Sequence, residues 1–178
     1  MNATPLIRAA TQADSDALEA LYRDAFPDEN LAPLLRALAA EPRALSLVAT
    51  ANGAVNGHVA LTRCDVTDGD AGVGLLGPLA VASASRRRGL GAALVDAACE
   101  RARGSGMVRV LVLGDPSYYG RHGFAPERSI APPYPLPPEW GDAWQSLALV
   151  DAVAPKGALA RGTLVVPAPW RPRALWAP

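Results

Sequence analysis

The stretch that most constrains this chain runs from Gly72 to Asp115. It opens with the apolar, strand-like GVGLLGPLAVAS, passes through the turn SRRRGLG, and ends on the aliphatic MVRVLVLGD. Between turn and last segment, Leu90, Leu94 and Ala98 recur at helical spacing from Arg88 to Arg103, while Asp96, Glu100 and Arg103 share a polar face. Strand, helix and strand in that order predict parallel neighbours joined by a right-handed crossover. The first strand carries a flaw at Gly77-Pro78. Proline lacks the N–H that a central ladder uses, so pairing there fails or bulges and a gap in the sheet is expected.

The flanking segments supply the rest of a mixed fold. PLIRAA predicts a first strand, and TQADSDALEALYRDAF a helix capped by Thr11 or Asp14 with Leu18, Leu21 and Tyr22 on one side. NLAPLLRALAAE repeats the pattern with Leu31, Leu34, Leu35 and Leu38. ALSLVATANGAVNGHVALTRCDV predicts two antiparallel strands around the turn-rich ANGAVNG, because Asn-Gly pairs tolerate the positive φ of tight hairpins. After Asp115, PSYYGRHGF allows only a short helix, and six prolines between Pro126 and Pro138 predict mostly loop. Late strands are expected at WQSLALVDA and RGTLVVP, in a C-terminal part that also holds Trp140, Trp144, Trp170 and Trp176. Those rings serve either as core packing or as walls of a substrate cleft.

The 178 residues suit one domain spanning 1–178, and 17 basic against 17 acidic side chains give no overall grip on nucleic acid. Any anion site is therefore local. Asp14, Asp16, Glu19 and Asp24 in the first 26 residues, with no central apolar block, argue against a secretory leader and for a cytoplasmic protein. The nearly uncharged run Ala71 to Ser85 is shorter than the roughly 20 residues of a membrane helix and is broken by glycines and Pro78, so no membrane span is expected. Cys64 and Cys99 have no metal-ligand spacing and are expected as buried thiols, with no metal site.

The turn before the helix breaks a local rule. A helix start carries unpaired N–H groups and partial positive charge, yet Arg86, Arg87 and Arg88 stand there. An anionic ligand resolves the conflict, with Gly89 and Gly91 clearing side chains for its close approach. A solvated basic turn is the plain alternative. A P-loop is excluded because no Gly-Lys-Ser/Thr exists, and the dinucleotide fingerprint fails at its third position, Leu94, although Asp115 ends the next strand where a ribose acid would stand.

RRRGLGAAL resembles the acyl-CoA signature R/Q-x-x-G-x-G/A of the GNAT superfamily of N-acetyltransferases, with Arg86, Gly89 and Gly91 in the defining places. LGPLAV precedes it and YYGRHGF follows it in the family's order, and the resemblance covers roughly Leu6 to Phe124. It implies an α/β fold with a mixed, mostly antiparallel sheet splayed between its fourth and fifth strands and helices on both faces. It further implies acetyl-CoA as cosubstrate. The pyrophosphate would sit on the N–H groups around Arg87, Arg88, Gly89, Leu90, Gly91 and Ala92, and the pantetheine arm along Leu79, Ala80 and Val81. A free N–H near Leu79 would hold the oxyanion. Tyr119, five residues before Phe124, falls at the family's general-acid position, while the adjacent Tyr118 is expected to pack.

The implied reaction moves an acetyl group to a primary amine, on a small molecule or on a peptide or protein, in a monomer or homodimer. Its weak point is the base. Many relatives carry a glutamate on the fourth strand, but LLGPLAVAS has no ionisable side chain. His58 and Asp65 are candidates through water, His122 is expected to support its turn, and Glu139 and Asp142 to attract a cationic amine. The alternative is a module of the same fold that senses acyl-CoA or binds a protein without catalysis.

Overall fold

A computed structural model describes residues 5–150 and 160–176. Strand β1 (Leu6–Ala9) leads through a 3-10 turn into helices α1 (Ser15–Ala25) and α2 (Ala32–Ala40). The entry to α1 is fixed by Asp14. Its carboxylate accepts the Thr11 N–H at 2.7 Å and both terminal nitrogens of Arg8 at 2.8 Å, contacts that hold its carboxyl well below the usual range.

Strands β2 (Ala44–Ala51) and β3 (Ala54–Asp68) form a hairpin whose turn uses Asn52 at φ 51° and Gly53 at φ 78°. β4 (Val73–Val81) pairs antiparallel with β3, and helix α3 (Leu90–Gly104) then crosses to β5 (Arg109–Leu113), which lies parallel to β4. Only the first Asn-Gly pair makes the turn. The second, Asn56-Gly57, lies inside β3, where a Cβ on Gly57 would come within 2.9 Å of Leu94 Cδ1 on α3.

The expected interruption of β4 is present. The β3 register moves from Val59 to Leu61 while β4 moves from Leu79 to Leu76, so β4 carries one extra residue around Gly77 and Pro78. On its other side β4 meets β5 through Val73, Gly74 and Leu75 alone. Beyond Leu75 the two strands part, and the β5-facing edge of residues 76–81 lacks a strand partner among the described residues.

After β5 come the single turn α4 (Pro116–Tyr119) and strands β6 (Ala125–Pro126), β7 (Ile130–Ala131), β8 (Trp144–Ala148) and β9 (Arg161–Val165). The sheet order is β1-β2-β3-β4-β5-β8-β6, with β9 pairing the far end of β3 and also β7. Every pairing is antiparallel except β4 with β5 and the short β7 with β9. Among the described residues no helix is long and apolar enough to cross a membrane.

Helix α3 buries Leu90, Leu94, Val95 and Ala98 against Leu47, Val59, Leu61 and Val110 of the sheet. A second cluster joins Leu21 and Tyr22 of α1 to Leu35 of α2 and Ala80 of β4. Burial of each such large side chain contributes about 2 kcal/mol. A third cluster gathers Leu34, Leu38, Leu75, Leu111, Trp144, Trp170 and Trp176. Cys64 and Cys99 are buried thiols, their pKa values pushed up by burial to about 12 and about 11.

The proline-rich stretch is mostly loop, as expected, yet the two-residue β7 lies in it and β6 ends on Pro126. The reason is Glu127, whose buried carboxylate pairs with Arg109 at 2.8 Å and accepts the N–H groups of Ser129 and Ile130. The strand expected over WQSLALVDA stops at Ala148, and its last residues, 151 and 152, lie outside the described residues.

Candidate active site

The arginine turn is tied down before it meets any ligand. Ser83 N–H donates to the Asp24 carboxylate at 2.7 Å, which holds that carboxyl low, and Arg86 Nη2 donates to the Ala25 carbonyl at 3.3 Å. Arg87 takes φ 60°, unusual for a residue with a Cβ, and Gly89 takes φ 77° as the residue before α3. Helix α3 starts with no side-chain cap and no acid in its first turn. Its free N–H groups therefore face outward uncompensated.

Beside this turn lies a cavity of about 740 Å³. Of the sequence-derived positions, Leu79, Ala80, Val81, Arg86, Arg87, Gly89, Leu90, Gly91 and Ala92 line it, and Arg88 does not. Phe26, Tyr118, Arg121 and His122 also line it. Gly91 lies close to the Tyr118 hydroxyl, which would have to shift to admit a Cβ there. The Arg121 guanidinium lies 5.5 Å from the centre of the Tyr118 ring.

A second cavity, of about 1140 Å³, fills the splay between β4 and β5. The two cavities share Phe26, Leu79, Arg86 and Tyr118, so they adjoin along the bulged strand. Tyr119 lines only the larger one. Its ring packs on Gly114, where a Cβ would overlap it, and stands edge-on to Tyr118 and Phe124 at 5.0 and 5.6 Å. Burial pushes the Tyr119 phenol well above its ordinary value, so it carries its proton at neutral pH.

The base candidates fare differently. His58 is buried under α1, with Nδ1 2.7 Å from the Tyr22 hydroxyl, and lines neither cavity. Burial alone drives its pKa down to about 4. Asp65 is paired with Arg43 at 2.8 Å and Asp142 with Arg128 at 2.7 Å; neither they nor Glu139 line the cleft. His122 lies 3.7 Å from Asp96 on the rim of the smaller cavity.

The carboxylates that do line the larger cavity are Glu29 and Asp115. Asp115 accepts the Ser117 hydroxyl and N–H at 2.9 and 2.8 Å, which keeps its carboxyl low. Glu29 belongs to the short link between α1 and α2, where no periodicity marks it. Trp140, Trp170 and Trp176 also face this cavity, so the tryptophans divide between core and wall, and two of them do both.

The model of the Acetyltransferase (GNAT) family matches residues 15–124. The chain is 36% identical over 124 residues to the uncharacterized N-acetyltransferase YjhQ of Escherichia coli K12, covering 67% of this chain and 68% of that protein. It is 36% identical over 121 residues to YhbS of the same organism, also an uncharacterized N-acetyltransferase, covering 67% and 72%. The crystal structure of Escherichia coli YhbS in complex with CoA superposes with a TM-score of 0.77 at 30% identity, over 90% of this chain and 88% of that one. A Brucella melitensis GNAT acetyltransferase in complex with acetyl-CoA gives 0.72 at 27% identity, over 93% and 97%.

Proposed function

The chain belongs to the GNAT acetyltransferase family and is an acyltransferase, and from that premise we propose that it transfers an acetyl group from acetyl-CoA to a primary amine by direct attack. The observation that carries this reading is the meeting of the two cavities along β4. On one side of Leu79 is a cationic, glycine-cleared helix start suited to a diphosphate; on the other is a deep cleft with a protonated tyrosine.

In this reading the outward N–H groups from Arg87 to Ala92 hold the coenzyme's pyrophosphate, and Arg86 and Arg87 add charge-assisted contacts. The unpaired edge of Leu79, Ala80 and Val81 takes the amides of the pantetheine arm as an added strand. Acetyl-CoA supplies an activated thioester carbonyl. The Leu79 N–H polarises that carbonyl and stabilises the oxyanion, a contact worth about 3 kcal/mol. As the amine lone pair forms the new C–N bond and the C–S bond breaks, Tyr119 gives its proton to the departing sulfur and recovers one from solvent. Glu29 and Asp115 draw the ammonium form into the cleft, and its proton leaves to solvent water before attack. The two carboxylates stand in electrostatically for the strand carboxylate whose absence favoured a non-catalytic module.

Titration calorimetry with acetyl-CoA, followed by thiol release on adding a primary amine, tests the reading. Micromolar binding and amine-dependent thiol release are expected. A dissociation constant weaker than about 1 mM, or a thioester left intact with every amine, overturns it.

A further inference from the structure

Resting on that acetyl-transfer reading, we propose that the acceptor is a small primary amine carried on an aromatic or branched apolar body, without carboxylate, phosphate or sugar hydroxyls. The inference comes from what lines the larger cavity and from what does not. Apart from the β4–β5 strands, the apolar part of its wall includes Phe26, Leu31, Trp140, Trp170, Leu175 and Trp176. The indole N–H groups of two of these are committed inside the protein. Trp170 Nε1 donates to Thr62 Oγ1 at 3.0 Å, and Trp176 Nε1 donates to the Trp170 carbonyl at 2.8 Å. Those side chains therefore offer the cleft carbon surface.

The polar side chains of the wall are as selective as the apolar ones. Among the described residues no Asn, Gln, Ser, Thr, Lys or His lines this cavity. Besides Glu29, Asp115 and Arg86, the polar side-chain groups on this cavity are the Tyr118 and Tyr119 hydroxyls and the Trp140 indole, so a polyhydroxylated acceptor would lose water from more hydroxyls than the wall can partner. An acidic acceptor would face Glu29 and Asp115. The cation in reach, Arg86, already donates to Ala25 and lines the coenzyme cavity as well. An ammonium group, by contrast, meets two carboxylates and the ring of Trp140. The volume of about 1140 Å³ is ample for a single-ring amine beside the thioester end of a coenzyme arm.

The test is thiol release by the full chain with 2-phenylethylamine, isoamylamine, glucosamine and glutamate, alongside calorimetry with acetyl-CoA. The expected kcat/KM for 2-phenylethylamine exceeds that for glucosamine and glutamate by about 100-fold, with isoamylamine between. Trp140→Leu is expected to raise the KM for 2-phenylethylamine about tenfold and leave the acetyl-CoA dissociation constant unchanged. Preference for glucosamine or glutamate, with the coenzyme bound, overturns the acceptor class and leaves the acetyl-transfer reading intact. Bound coenzyme with no turnover of any amine, or no binding at all, overturns both.

Discussion

The Tyr22 hydroxyl lies 2.7 Å from Nδ1 of His58, joining α1 to the centre of the sheet, while His58 Nε2 is buried with no partner among the described residues. A neutral ring tolerates that placement; an imidazolium does not. His58 is thus a buried polar pin between α1 and β3, and its protonation bears on stability.

Stability should consequently depend on pH through His58. An imidazole in the unfolded chain titrates near 6.5, whereas folded His58 is pushed down to about 4 by burial. Between these values the unfolded chain binds a proton that the folded one refuses. Stability is full above pH 6.5, declines as pH falls, and levels off below about 4. Urea unfolding at pH 7.5 and 5 should differ by about 2 kcal/mol, and His58→Gln should lose that difference.

Tyr119→Phe keeps the ring that packs on Gly114 and Phe124 and removes the phenolic proton. Turnover is expected to fall about 100-fold with the acetyl-CoA dissociation constant within twofold. Steady-state kinetics beside calorimetry reads both, and equal turnover in the two proteins would remove Tyr119 from proton donation.

Gly91→Ala places a methyl group against the Tyr118 hydroxyl. The Tyr118 ring, which lines the smaller cavity, must shift to make room, and acetyl-CoA affinity should drop about tenfold even though alanine favours the helix. Adding Tyr118→Phe removes the clashing oxygen and should restore much of the loss. Calorimetry on the single and double variants measures the coupling.

Glu127→Gln leaves Arg109 without its carboxylate and weakens the N–H contacts that shape β7. A cost of about 3 kcal/mol is expected in denaturant unfolding. Burial pushes the Glu127 carboxyl up, but hydrogen bonds from Ser146, Ser129 and Ile130, with Arg109, outweigh it and hold the group below its ordinary value. Its contribution is full above the ordinary carboxylate range and is lost as pH falls through the lowered folded value. The acid limb of the stability curve should be flatter in the variant.

How much of this was legible in the sequence depended on whether the cause was local. The β4 interruption, Gly89 at positive φ and the helix after it follow from backbone rules that act over a few residues, and the structure has them at those positions. Two Asn-Gly pairs looked equivalent, yet Gly57 is explained by Leu94, which lies far along the chain on α3. β7 was hidden behind prolines because its cause is an ion pair between Glu127 and Arg109, 18 residues apart. Glu29 had no pattern at all, since its place on the cleft is set by α1 and α2 packing on the sheet.

Strand β3 belongs to two sheets at once. Residues 57–64 support the bulged strand, and Asp65, Val66 and Asp68 hold β9, which leads into the segment bearing Trp170 and Trp176. The two halves of the cleft thus share one continuous backbone but not the same neighbours. Exchange of residues beyond β9 should therefore shift the preference among amines while leaving the acetyl-CoA dissociation constant unchanged.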